Sequence, residues 1–372
     1  MIKLIDITKK YGEFTAVDDI SLKVKQGEVC VLLGPSGCGK STTLKIINRM
    51  LEPSNGNVLI EGKNVRDFKP ELLRRKIGYV IQYVGLFPHM TVGENIGIVP
   101  KLLGWEKVKI SRRTEQLFTL IGLDPGFYSN KYPHELSGGE AQRIGVARAL
   151  AADPPILLMD EPFGAVDPLT REILQTEFVK IQKELKKTVV FVTHDLEEAI
   201  RVAVRIVLMQ KGRIVQHDTP ENILAHPKNK FVHDFIGADR ALKRLSRFPV
   251  SNIMREAPVV KSSDDLFKAA KSVDKRGFRF LWVIDENEEL LGWIDTTRLI
   301  RNKEKKEDVI TRIPVSRIAV RSDFTCKTAL SRMLAEGIKV VPVVDENQKI
   351  IGEISLADIE KITEEVAHTW QE

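Results

Sequence analysis

The stretch Gly34-Pro35-Ser36-Gly37-Cys38-Gly39-Lys40-Ser41 follows the apolar run Val29-Cys30-Val31-Leu32-Leu33 and precedes Thr42-Thr43-Leu44, where a helix is expected to open. It fits G-x-x-x-x-G-K-[ST] in the context that motif requires, between a strand and a helix. Glycines let backbone N–H groups turn inward around phosphates, and the helix N-terminus adds positive potential. The expected nucleotide-binding set is Gly34, Pro35, Ser36, Gly37, Cys38, Gly39, Lys40, Ser41 and Thr42. Lys40 reaches the β- and γ-oxygens, and the Ser41 hydroxyl serves as a Mg²⁺ ligand.

Around this segment, residues 1 to about 236 alternate short β-branched apolar runs with longer amphipathic stretches. That is the pattern of a mainly parallel sheet covered by helices, so the fold class is α/β. Two more runs end like the first: Ile156-Leu157-Leu158-Met159 delivers Asp160 and Glu161, and Val189-Val190-Phe191-Val192 leads to His194. Ligands bind at the carboxyl ends of such strands, so the three ends should converge. Asp160 would then hold Mg²⁺, Glu161 would align or deprotonate an attacking water, and His194 would bond a γ-phosphate or orient that water. Taken alone, the acidic pair also reads as a turn signal and the histidine as a helix cap. Gln82 is a further candidate as metal ligand or γ-phosphate sensor.

The chain has 372 residues, 43% hydrophobic and 29% charged, with 57 basic and 51 acidic side chains for a net charge of +6. Mean hydropathy is −0.14 and the pI is about 9.0. This composition excludes a disulfide-stapled peptide, a disordered chain and a membrane-embedded one. No apolar run reaches the roughly 18 residues of a membrane span. The start lacks a signal pattern, and Cys30, Cys38 and Cys326 have no CxxC spacing, which fits a reducing cytoplasm.

A second glycine-rich helix start, Leu136-Ser137-Gly138-Gly139-Glu140-Ala141-Gln142-Arg143, precedes a helical run with Ile144, Ala147 and Leu150 on one face. One nucleotide does not need two cradles, which suggests that one of them serves a neighbouring subunit. With these motifs in order, residues 1–236 resemble the ABC ATPase family, a P-loop NTPase cassette with a helical subdomain. The resemblance implies a head-to-tail dimer around two Mg-ATP, with Ser137, Gly138, Gly139 and Gln142 facing the partner's nucleotide. It also implies Tyr11 stacking on adenine, Glu161 as general base, His194 holding water and γ-phosphate, and Asp167 of Gly164-Ala165-Val166-Asp167 at the subunit contact. Tyr11 alone would equally be a packing tyrosine.

Transport would require integral membrane permease partners, and the expected docking stretch is Tyr83-Val84-Gly85-Leu86-Phe87-Pro88-His89-Met90-Thr91, which otherwise reads as a buried loop. The interval between Ser41 and Leu136 is too short for the coiled coil of the DNA-repair type, and the single cassette differs from the translation type.

A basic segment at 237–249, with Arg240, Lys243, Arg244 and Arg247, reads as a linker, either solvated or touching an anionic inner leaflet. Beyond it, Gly277, Val283, Asp285-Glu286-Asn287, Gly292 and Ile294 recur as Gly337, Val343, Asp345-Glu346-Asn347, Gly352 and Ile354. The copies are expected at 250–300 and 313–362, separated by a charged linker at 301–312 and followed by a tail at 363–372. Each reads as helix, strand, turn, strand, helix. They resemble an α/β tandem CBS domain (the cystathionine-β-synthase type), whose segment Gly352-Glu353-Ile354-Ser355-Leu356-Ala357-Asp358 implies Ser355 and Asp358 as ligands of an adenine or cyclic dinucleotide. In the first copy Asp295 and Arg298 replace those residues, and a dimerising role remains open.

An ABC ATPase followed by CBS modules resembles the energising subunit of osmoprotectant importers for glycine betaine, carnitine, choline or proline. It implies a peripheral protein on the cytoplasmic face of the plasma membrane, working with an extracytoplasmic solute-binding protein and no nucleic acid. An importer ATPase for another small solute and a regulatory ATP-binding module remain the alternatives.

Overall fold

The structure, a computed structural model, describes residues 1–82, 85–164, 166–237, 239–275, 278–302, 310–311 and 315–367. The chain divides into two compact units, Met1–Ile223 with Pro227–Phe235, and Leu224–His226 with Ile236–Glu372.

The first unit holds strands β1 (Ile2–Tyr11), β2 (Phe14–Val24), β3 (Val29–Leu33), β4 (Asn55–Ile60), β5 (Lys63–Asn64), β6 (Ile77–Val80), β7 (Ile156–Asp160), β8 (Thr188–Thr193), β9 (Arg205–Gln210) and β10 (Arg213–Asp218). They form an antiparallel sheet β2-β1-β4-β5 and a six-stranded sheet β10-β9-β3-β8-β7-β6, parallel except for β10. Strands β3, β7 and β8 are buried along their whole length, as a sheet covered on both faces demands. Leu33 pairs with Thr193 and Asp160 with Val192, so the three expected strand ends lie level. A helical layer follows β6: Val92–Leu102, Lys107–Leu120, Pro125–Tyr128 and Gly138–Leu150.

The second unit repeats one motif. Strands β11 (Val259–Lys261), β12 (Phe280–Ile284) and β13 (Leu290–Asp295) are matched by β14 (Val320–Arg321), β15 (Val340–Val344) and β16 (Ile350–Ser355). Val283 pairs with Gly292 and Val343 with Gly352, and each ladder slips at the next residue. Asp285 Oδ1 accepts from the N–H groups of Asn287 and Glu289, and Asp345 Oδ1 does the same for Asn347 and Lys349. A Cβ at Gly292 would sit 2.3 Å from the Thr311 carbonyl oxygen and one at Gly352 2.9 Å from that of Arg255, because a further chain segment bridges Trp293 and Glu353 there. Trp282 and Trp293 lie with ring centroids 6.1 Å apart.

The expected linker at 237–249 is built into this unit. Helix Arg240–Leu245 packs on helix Leu356–Ala367, and Leu245 and Val250 belong to an apolar core. Arg240 and Arg244 are buried, Arg244 Nη1 donates to Ile362 O, and Lys243 pairs with Asp239 at 2.7 Å. The membrane-facing reading of this segment is therefore corrected: two of its four cations face inward. Gly277, most of 301–312 and the tail from 368 lie outside the described residues, as do Tyr83, Val84, Ala165 and the Arg298 side chain.

Candidate functional site

The phosphate loop joins β3 to helix Lys40–Ile47, with Pro35, Ser36 and Gly37 exposed at its tip. Its glycines are required by space as well as by dihedral. Gly34 has φ 151° and a Cβ there would stand 2.2 Å from Met209 O, while Gly39 has φ 103° and its Cβ would meet Ala16 O at 2.5 Å. Lys40 Nζ donates to Gly34 O at 2.7 Å and Pro35 O at 2.9 Å, so the ammonium lies within the loop. Thr42 is half-buried at the start of the helix. Cys38 is buried, and desolvation pushes its thiol up despite the opposing Lys40.

The strand ends converge. Ser41 Oγ donates to Asp160 Oδ1 at 2.8 Å. Burial pushes the Asp160 carboxyl up, with the Ser41 bond opposing. Glu161 adopts φ 44°, the left-handed region, which lets it leave β7 toward the open side. Its Oε2 accepts from Gln82 Nε2 at 3.2 Å and lies 3.3 Å from His194 Nδ1. Thus Gln82, Asp160, Glu161, His194 and Ser41, drawn from four separate segments, form one polar cluster. Tyr11 ends β1 about half exposed, with Lys9 Nζ 5.1 Å from its ring centroid.

Ser137 caps helix Gly138–Leu150: its Oγ accepts from Glu140 N, and Glu140 Oε2 accepts from Ser137 N at 2.7 Å. Tyr128 Oη donates to the other carboxylate oxygen at 2.5 Å, fixing this helix start. Ser137 and Gly138 are exposed, while Gly139 is buried against Thr170. Gln142 departs from expectation. It is 1% exposed, with both amide atoms unpartnered, and lies beneath the exposed Ser137 and Gly138 rather than beside them. Helical periodicity explains this, because position 142 follows Gly139 and precedes Gly145 on the small-residue face that packs inward. Asp167 is exposed and caps helix Pro168–Leu185 through Thr170 N, which holds its carboxyl below the usual range.

Of the expected docking stretch, residues 85–91 are tied to Asn95, fully buried, whose Nδ2 donates to the carbonyls of Phe87, Met90 and Thr91 and whose Oδ1 accepts from Phe87 N. Arg148 Nη1, which the motif reading missed, holds Gly85 O at 2.7 Å. Beside this loop runs a groove of about 390 Å³ with Ile81, Phe87, Ile98 and Leu102 along it and Arg74 and Arg75 at its margin.

In the second unit Ser355 and Asp358 bond each other. Asp358 Oδ2 accepts from Ser355 N and Oγ, and Ser355 Oγ accepts from Asp358 N, so the two expected ligand residues stand together as a cap at the start of helix Leu356–Ala367. A cleft of about 230 Å³ lies elsewhere, lined by Arg279, Phe280, Trp293, Asp295 and Lys339. Nearby, Glu353 is 1% exposed, taking Trp282 Nε1 at 2.8 Å and Arg255 Nη2 at 2.8 Å.

Residues 17–164 match the ABC transporter family, and residues 250–305 and 307–364 match the CBS domain. The osmoprotectant import ATP-binding protein OsmV of Salmonella typhimurium is 46% identical over 95% of this chain and 94% of its own length. The glycine betaine/carnitine/choline transport ATP-binding protein OpuCA of Bacillus subtilis is 46% identical over 96% and 95%. Among solved structures, the ATP-binding cassette MJ0796, in a dimeric post-hydrolysis state bound to ADP and Pi, has 35% identity and a TM-score of 0.53, covering 59% of this chain and 98% of that one. With the cluster at the strand ends and the repeated second unit both accounted for, the chain belongs to the ATP-binding proteins of ABC transporters, in the group that carries a tandem CBS domain.

Proposed function

We propose that this chain is the ATP-hydrolysing motor of an importer for osmoprotectants of the glycine betaine, carnitine, choline or proline class. The observation that carries the reading is the joining of Gln82, Glu161 and His194 through one carboxylate oxygen. The solute class rests on the names of relatives similar along nearly the whole chain.

In this reading Gly34 to Thr42 cradle the phosphates and Tyr11 offers its open face to adenine. Ser41, Asp160 and Gln82 present only oxygen donors, which suits Mg²⁺, and the ion would neutralise charge on the β- and γ-phosphates. Glu161 takes a proton from water as that water bonds the γ-phosphorus; the β–γ bridge breaks and ADP leaves with the pair of electrons. His194 holds the water and γ-phosphate in line. Ser137, Gly138 and Gly139 face the nucleotide of a second copy, with Asp167 at the contact; the dimeric state of the MJ0796 cassette supports this arrangement.

Among the described residues no helix is long and apolar enough to cross a membrane, so the solute path is assigned to permease subunits, docked in the groove beside Phe87. The motor then sits on the cytoplasmic face, with a solute-binding protein acting beyond the permease. An adenine or cyclic dinucleotide at the CBS domain would be held by Ser355 and Asp358; the cleft lined by Arg279, Phe280, Trp293, Asp295 and Lys339, in which Arg279 pairs with Asp295 at 3.1 Å, is the other candidate.

The test is ATP-driven glycine betaine uptake into proteoliposomes holding this chain with its copurified membrane partners, at low and high salt on the ATPase side. Uptake abolished by Glu161→Gln is expected. ATP hydrolysis without uptake of any osmoprotectant at either salt overturns the solute class and leaves the motor.

A further inference from the structure

Behind His194 runs a ladder of side chains that the nucleotide motifs do not use. It joins helix Pro168–Leu185, capped by Asp167, to helix Leu196–Val202, which begins two residues after His194. Arg171 Nη1 lies 3.8 Å from Asp195 Oδ2, Gln175 Nε2 donates to Glu198 Oε1 at 3.3 Å, and Arg201 Nη2 donates to Glu172 Oε1 at 2.8 Å. The outer rungs reach solvent, where such pairs contribute little. The middle rung is buried: Gln175 is 4% and Glu198 5% exposed.

A buried carboxylate is retained at a cost unless its neighbours satisfy it. Burial pushes Glu198 up to about 7, against hydrogen bonds from Thr193 and Gln175 and the charge of Arg171, while Asp195 raises it further. Glu198 also lines a cavity of about 50 Å³ together with Glu161, Gly164, Thr193 and His194. Arg171, one turn before Gln175, donates through Nη2 to Val166 O in the segment that leads to Asp167. The same pair of helices therefore anchors the subunit-contact segment and the histidine loop.

We propose that Glu198, held by Gln175, is a positioning residue for hydrolysis that fixes the His194 loop against the Asp167 segment, so that displacement of one is passed to the other. The inference rests on the reading of Glu161 and His194 as the hydrolytic pair. Nothing in it requires Glu198 to touch the nucleotide.

The experiment is steady-state ATPase kinetics of the full chain, native and with Glu198→Ala, Gln175→Leu, both together, Glu198→Gln, and Glu161→Gln as control. Glu198→Ala and Gln175→Leu are each expected to lower kcat about tenfold, with KM for ATP within about twofold and a double variant no worse than the poorer single one. Glu198→Gln keeps size and one acceptor, so it should recover most of kcat. If kcat of Glu198→Ala stays within about twofold of native, or Glu198→Gln loses as much kcat as Glu198→Ala, the proposal is overturned. Retained turnover in Glu161→Gln instead overturns the site reading on which it rests.

Discussion

The ends of β7 and β16 present similar chemistry and opposite outcomes. At β7 the polar groups look outward and meet side chains from other segments: Ser41 reaches Asp160, while Gln82 and His194 reach Glu161. At β16, Ser355 and Asp358 find each other across a single helical turn and close the account locally. The groups at β7 are held by partners from distant segments, whereas those at β16 cap their own helix, so only the first cluster depends on the tertiary fold for its geometry.

The sharpest test of this contrast is at β7. Glu161→Gln should cut ATPase kcat by about a hundredfold to a thousandfold while ATP binding persists and closed dimer accumulates, measured by turnover, nucleotide affinity and gel filtration. Next in size, Glu353→Ala removes the acceptor of the buried Trp282 N–H and the partner of Arg255. A loss of about 2–4 kcal/mol in the denaturation transition of the second unit is expected, with ATPase turnover of the native kind at ambient temperature.

A pH series sharpens the comparison further. Glu198 stands near 7 against an ordinary 4.5, so the folded chain binds that proton more tightly than the unfolded one. Its stabilising contribution is complete below about 4.5 and is lost as pH rises through about 7, on the order of 3 kcal/mol, and Glu198→Gln should show a flatter stability profile across that window. At β16, Ser355→Ala should cost only about 1 kcal/mol, the worth of a cap, in the denaturation transition of the second unit. Smallest of all, Cys38 should react with a thiol alkylator no faster than an ordinary buried cysteine, because its thiol is pushed up.

The cluster at the strand ends was legible in sequence because Asp160, Glu161 and His194 follow apolar runs that announce their strands, and Ser41 belongs to a phosphate-loop motif, whereas Gln82 had no such run to mark it. The repeat was legible because its Asp-Glu-Asn turns and paired glycines answer local demands. Other features depended on contacts distant in the chain. Gln142 stands in a phosphate-binding motif yet turns inward with the helix, and its spacing from Gly139 and Gly145 was the available signal. Arg240 and Arg244 read as solvated cations, but their i,i+4 spacing is also that of one buried face, and helix Leu356–Ala367 covers it. Strands β11 and β14, three and two residues long, were too short for any periodicity to mark. The Gln175–Glu198 contact joins helices on either side of β8 and leaves no local trace.

The two indole rings of Trp282 and Trp293, with centroids 6.1 Å apart and planes inclined by 64°, have an optical consequence. Chromophores so close and so inclined couple their transitions, and the Trp282 N–H bound to a buried carboxylate shifts the spectrum again. The repeat thus carries a circular-dichroism reporter of its own, while the phosphate loop contains no tryptophan. A slip between the two copies, or a ligand pressing on Trp293, would register as a change in near-ultraviolet ellipticity without any label and without waiting for a turnover.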